Sequence, residues 1–256
     1  MTETRLSFVI PAHNEEALIG EALEAILVSV ARSAGVSRAE LSLADAGVEV
    51  IVADDASVDA TATIVRSFAD VGLRLVSCVG GTCAAARNAG ATSSSGRILC
   101  FVDADTIVPE NAVERILELH ERERRCLVLY RLVSREPGLR AWMWWSFWGL
   151  ARHLPLARAK SMPAFMSCDR AHFAQYGPFD ESCVTAEEWP LTAAAYRHHR
   201  ARFVYERRIT ARTSSRRMEL QPFGYLRTFF RWVSVVLFHW ARTSPVDRIR
   251  HETGST

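Results

Sequence analysis

A chain of 256 residues, 49% hydrophobic and 23% charged, is long enough to bury one stable core, and one α/β domain with appended helices is the natural count. A formal net charge of +2 is too small to point to nucleic acid, and none is expected as a partner. The charge is lopsided: residues 1–120 carry 8 Arg against 17 Asp and Glu, a balance of −9, and the remainder 23 basic against 12 acidic residues, a balance of +11. The acidic half suits metal and nucleotide chemistry, and the basic half phosphate or an anionic surface.

In chain order, Leu6–Pro11 is an apolar run ended by Pro and predicts a buried strand. Apolar residues at helical spacing follow from Ala17 to Leu27, with Asn14 or Glu15 near the helix start. Val48–Ala53 predicts a second strand that ends in Asp54-Asp55-Ala56-Ser57, after which Asp59 and the Thr61–Ala69 stretch open a helix. Leu73–Ser77 predicts a third strand, and Thr82–Ala91 a helix of small residues carrying Arg87 and Asn88. Arg97–Thr106 is the most informative segment. Its apolar strand delivers Asp103 and Asp105 to the point where the strand must stop. The alternation of strand and helix predicts a parallel, doubly wound sheet, whose ligand crevice lies at the carboxyl ends of the strands. Two carboxylates that close repel unless a cation sits beside them, and a hard ion such as Mg²⁺ or Mn²⁺ suits the pair while leaving positions for a substrate phosphate.

Five blocks carry a resemblance. They are Val9–Glu16, Val52–Thr61, Ala86–Gly90, Asp103-Ala104-Asp105, and Gly177–Glu181 followed by Glu187-Glu188-Trp189. Together they resemble the family 2 nucleotide-diphospho-sugar glycosyltransferases, in that family's order. The resemblance implies a GT-A fold: three layers, α/β/α, around a mostly parallel central sheet, with amphipathic helices added at the C-terminal end. Residues 1–217 would form the transferase domain, with 1–125 the nucleotide-sugar half and 126–217 the acceptor half. Residues 218–243 would form an amphipathic helix and 244–256 a polar tail. Three positions depart from the family pattern: Ala56 and Pro178 stand where Gly is usual, and Glu188 where Asp is usual.

The resemblance also implies roles. Pro11, Ala12, Asn14, Glu15, Asp54, Asp55, Arg87, Asp103, Ala104 and Arg216 would line the nucleotide-sugar, with Asp55 accepting hydrogen bonds from the base and Arg216 meeting the diphosphate. Asp105 would be the direct metal ligand and Asp103 would sit on the ribose or behind the metal. Glu188 is favoured over Glu187 as the general base that an acceptor hydroxyl needs. Each has a plainer competing account: a helix cap for Asp55, a solvated side chain for Arg87, a basic loop for Arg216, and acidic residues favoured by the helix dipole for Glu187 and Glu188. The implied reaction is an inverting transfer from a UDP- or GDP-sugar to a hydroxyl, carried by a lipid or a lipid-linked glycan. A polyprenyl-phosphate glycosyltransferase and a non-catalytic nucleotide-sugar scaffold are the alternatives.

Two apolar stretches remain. Leu139–Leu150 packs four Trp beside Arg140, Arg152, Arg158 and Lys160, and Leu226, Phe229, Phe230, Val233, Leu237 and Trp240 fall at helical spacing. Neither reaches the roughly 20 apolar residues that span a bilayer. They suit the surface of a membrane or a second subunit in a homodimer. The six cysteines show no paired spacing and read as small core residues in a reducing compartment. The polar Met1–Arg5 segment is no signal peptide, so the expected location is the cytosol or the inner face of a membrane.

Overall fold

The computed structural model describes residues 3–79, 81–154, 160, 164–183, 186–221 and 223–238. Its centre is an eight-stranded sheet built of β1 (Leu6–Ala12), β2 (Val48–Asp55), β3 (Arg74–Cys78), β4 (Ile98–Val102), β5 (Thr106–Ile107), β6 (Leu127–Ser134), β7 (Phe165–Asp169) and β8 (Phe203–Thr213). The strand order is β3-β2-β1-β4-β7-β6-β8-β5. β3, β2, β1 and β4 run parallel. β7 is antiparallel to both β4 and β6, β8 is parallel to β6, and the short β5 pairs antiparallel with β8.

β1, β2 and β4 are largely apolar and buried on both faces because helices cover both, whereas the edge strand β3 is partly exposed. Phe8, Ile10, Val50, Val52, Cys100 and Val102 face one layer with Leu23, Ile26 and Leu27 of α1 (Ile19–Ala34) and Ile116 of α4 (Ala112–Leu117). Val9, Leu99, Phe101, Leu129 and Met166 face the other, with Phe179 and Leu191. On that second face α3 (Cys83–Thr92) must lie close to the sheet. A Cβ on Gly90 would stand 2.4 Å from Val9 Cγ1, and Ala84, Ala86 and Ala91 are buried beside it. The small-residue composition of this helix is therefore a packing requirement. Its first turn is closed by Thr82, whose hydroxyl accepts from the Ala85 amide.

Several expectations are adjusted. α1 begins at Ile19, so Asn14 and Glu15 sit in the turn before it. The second helix is short, α2 (Thr61–Arg66), followed by a single tight turn at Ala69–Val71. α5 (Leu139–Ala151) occupies the Trp-rich stretch, then come α6 (Arg170–Tyr176) and α7 (Trp189–His198). The expected C-terminal helix is two helices, α8 (Arg216–Glu219) and α9 (Gly224–Phe238). The polar tail 244–256, and Arg158 and Trp240, lie outside the described residues. No disulfide joins the six cysteines; Cys100, Cys126 and Cys168 are core residues as expected, whereas Cys78 and Cys183 are half-buried and Cys83 is exposed. Burial pushes the Cys100, Cys126 and Cys168 thiols up, which keeps them unreactive. No described helix is long and apolar enough to cross a membrane.

Candidate active site

The parallel register brings the polar ends of β1, β2 and β4 to one edge, since Val9 pairs with both Ile51 and Phe101. Two loops are knitted together there. The Asn14 side-chain oxygen accepts from the Val58 amide at 2.9 Å, and its own amide donates to Ser57 Oγ. The Glu15 amide donates to Thr61 Oγ1 at 2.8 Å, the Glu16 amide donates to Asp59 Oδ2, and the Glu16 carboxylate accepts from the Ala60 amide. Asn14 holds φ at 53° in the left-handed region, a conformation Asn tolerates better than most residues. Ala12 is buried at the end of β1, beside Pro11.

Asp54 is buried and accepts from the Ser57 amide. Asp55 Oδ1 accepts from the Gly81 amide at 3.0 Å, and its carbonyl accepts from His13 Nδ1 at 2.6 Å. Just ahead of α2, Asp59 Oδ1 accepts from the Thr61 amide and hydroxyl. Ala56 keeps the turn of the glycine it replaces by adopting φ 55°. That conformation costs an L-residue roughly 1–2 kcal/mol.

Arg87 is the hinge of the site. It is 2% exposed, yet its two terminal nitrogens reach Asp103 Oδ1 at 2.6 Å and Glu187 Oε1 at 2.5 Å. Burial opposes the charge, but Cys83, Asp103 and Glu187 outweigh it and raise the guanidinium's pKa. The solvated-side-chain account of Arg87 is thereby corrected: a residue on a first-half helix ties a β4 carboxylate to the start of α7. The neighbouring Asn88 makes a second tie, donating to the Phe179 carbonyl and Glu181 while its oxygen accepts from the Phe179 amide. Nothing local in the sequence announces either link, because the partners stand about a hundred positions apart; only their shared place in the five blocks relates them.

Asp105, beyond Asp103 and the buried Ala104, accepts from Thr213 Oγ1 at 3.1 Å, and Thr213 is also bonded to Thr106. This places the end of β8 against the acidic pair. Immediately after it Arg216 pairs with Glu15, so the late basic element reaches the loop that follows β1. Glu136 holds that element in place: its carboxylate accepts from Ser214 Oγ and the Ser215 amide, each at 2.6 Å. These bonds offset the cost of burial and hold the Glu136 carboxyl below the usual range. Glu136 was not singled out from the sequence.

Glu187 and Glu188 stand just ahead of α7, whose first residues include Pro190. Their environments differ. Glu187 lies at the edge of the site on Arg87, whereas Glu188 is fully buried and its carbonyl accepts from the Thr192 amide. Arg152 of the turn after α5 feels the Glu188 carboxylate. Burial pushes that guanidinium down to about 10, with Tyr205 and Glu188 acting against the shift.

Among the described residues no cluster of three His, Cys, Asp or Glu side chains has metal-binding geometry. The Asp103 and Asp105 carboxylates, just past the end of β4, offer oxygen donors only. That donor set fits a hard divalent cation that takes one or two protein carboxylates and completes its shell from substrate.

A parallel half with an acidic pair just past β4, joined to a half of mixed strand direction, is the GT-A architecture. The profile described as Glycosyl transferase family 2 matches residues 7–177, and the chain belongs to that family. Over 118 residues it is 32% identical to a validoxylamine A glucosyltransferase of Streptomyces hygroscopicus subsp. limoneus, a match covering 45% of this chain and 23% of that protein. The chain thus shares about a quarter of the length of that relative. Among solved structures, it resembles the mannosyltransferase PcManGT of Pyrobaculum calidifontis in complex with GDP-Man and Mn²⁺, with TM-score 0.63 and 19% identity over 93% of this chain and 63% of that one. It also resembles glucosyl-3-phosphoglycerate synthase of Mycobacterium tuberculosis in complex with Mn²⁺, UDP and its product, with TM-score 0.61 and 20% identity over 93% and 80% of the two chains.

Proposed function

We propose that this protein transfers a sugar from a UDP- or GDP-sugar to an acceptor hydroxyl, with inversion, by one in-line displacement. The observation that carries the reading is the bridge from Asp103 through Arg87 to Glu187, which joins the nucleotide edge to the start of the acceptor half. Asp55 and the backbone of Pro11, Ala12 and Asn14 hold the nucleoside, with Asp54 and Glu15 shaping its pocket. Asp105 holds Mg²⁺ or Mn²⁺, with Asp103 beside it on the ribose or behind the ion. The bound cation supplies charge neutralisation of the departing diphosphate. Arg216 exchanges Glu15 for that diphosphate when the donor arrives.

Glu188 takes the proton of the acceptor hydroxyl. Glu187 has its carboxylate engaged by Arg87, while Glu188 is fully buried, in a low-dielectric setting where proton transfer is strongly environment-dependent. Because Glu188 is wholly buried without substrate, the acceptor must open the start of α7 to reach it. An acceptor that needs a base is an alcohol and not an anionic phosphate, which favours a lipid or lipid-linked glycan hydroxyl over a polyprenyl phosphate.

The test is donor turnover. Incubation with UDP- and GDP-sugars and Mn²⁺ should release the nucleoside diphosphate slowly from one donor class and faster when the hydroxyl acceptor is supplied. Tight nucleotide binding with no release under any acceptor would leave a binding scaffold in place of a transferase.

A further inference from the structure

Beside the site, α5 and α9 pack against each other through Trp144 on Tyr225 and Phe147 on Phe229, with ring centroids 5.9 and 5.5 Å apart. Outside this seam they leave large apolar side chains in solvent: Leu139 is 71% exposed, Trp142 66% and Leu150 71% on α5, and Phe223, Leu226 and Phe230 are exposed on and beside α9. An apolar patch of this kind marks a surface that something covers. Charge narrows the choice. No Asp or Glu stands between Glu136 and Asp169, or between Glu219 and Asp247, whereas Arg140 and Arg227 lie on these helices.

A cavity of about 530 Å³ opens between α5 and the sheet. Arg131, His153 and Arg207 bring basic groups to it, and Leu132, Trp142 and Leu150 line it with apolar surface. Arg131 and Arg207 are exposed, and neither forms an ion pair among the described residues. The one carboxylate on the lining, Glu136, is occupied by Ser134, Ser214 and Ser215. The cavity therefore presents basic groups beside an apolar, tryptophan-bearing face. That is the complement of a phosphate headgroup with its acyl region alongside.

We propose that the α5–α9 face docks on an anionic lipid bilayer, and that the cavity beneath α5 receives a phosphate-bearing headgroup on Arg131 and Arg207. Docking there leaves the protein adjacent to its amphiphilic acceptor, because Glu136 on the cavity lining is bonded to the segment that carries Arg216. The inference goes beyond the transfer reaction and does not need it to be correct.

The experiment is co-sedimentation of the full chain with vesicles of phosphatidylcholine, alone or mixed with phosphatidylglycerol, with nucleotide binding measured in parallel. Binding should require the anionic lipid and weaken with salt. The Arg131→Ala/Arg207→Ala pair should bind about 25-fold more weakly, roughly fivefold for each charge near the surface. Trp142→Ser should also weaken it, and none of these exposed substitutions should alter nucleotide binding. Equal loss from Arg208→Ala/Arg212→Ala, two exposed arginines outside the cavity, would overturn the headgroup site. Absence of vesicle binding while nucleotide still binds would overturn the docking face alone. So would a stable dimer by light scattering that Trp142→Ser separates.

Discussion

The nucleotide edge and the α5–α9 face are built on opposite principles. At the edge, each acidic side chain already has a protein partner: Asp54 has the Ser57 amide, Asp55 has Gly81, Asp103 has Arg87, Asp105 has Thr213 and Glu15 has Arg216. Polar groups there are fixed before any ligand arrives, which is what pre-organised electrostatic chemistry requires. On the α5–α9 face, apolar side chains stand in solvent and Arg131 and Arg207 lack acidic partners. A surface of that kind is completed from outside. On the proposed reading, the contrast would separate residues that do chemistry from residues that bring the protein to its acceptor.

The largest expected effect lies at the junction of the two halves. Glu188→Gln should lower kcat about a hundredfold or more, within the range general-base catalysis supplies, with donor binding nearly unchanged. Steady-state kinetics of Glu187→Gln beside it decide the assignment. If that variant loses the same rate constant while Glu188→Gln keeps it, the base is Glu187 and the comparison is redrawn.

A second break concerns the bridge itself. Arg87→Met leaves the Asp103 and Glu187 carboxylates facing each other without their shared cation, and removing one partner of a buried pair costs about 3–5 kcal/mol. Thermal denaturation should fall by roughly ten degrees. An unchanged melting temperature would mean that Arg87 contributes nothing to joining the halves.

The smallest effect is a gain. Ala56→Gly relieves the left-handed backbone at φ 55°, and after the entropy that glycine adds to the unfolded chain about 0.5–1 kcal/mol should remain. Urea denaturation reads it, and a loss of stability would show that the Ala56 side chain packs usefully.

How much could be read in advance follows the same division. β1, β2 and β4 are apolar runs with polar ends, and their Asp and Asn residues fall where the strands stop, so the fold of this half and the edge that gathers those residues were legible. β6 and β8 were not. Arg131 interrupts the first, Glu206, Arg207 and Arg208 interrupt the second, and their pairing slips between Tyr130 and Arg131. A strand with charges facing a cavity does not alternate like one lying on a core. The Arg87–Glu187 and Asp105–Thr213 contacts were hidden for a different reason: they join residues more than a hundred positions apart or nearly so, and no local pattern encodes a tertiary pair. α9 begins at Gly224, later than the expected start at 218, because the chain turns at Phe223, with φ 56°, before the helix can start.

The central claim is that the acidic pair at the end of β4 binds a nucleoside diphosphate together with a divalent cation. Isothermal titration of UDP and of GDP into the protein, with Mn²⁺ or with EDTA, and into Asp105→Ala, tests it most directly. The account predicts that one nucleotide binds, that EDTA weakens it, and that Asp105→Ala loses about thousandfold of the metal-dependent affinity, the several kcal/mol such an ion supplies. Equal binding with and without metal, or equal binding by the variant, would contradict it.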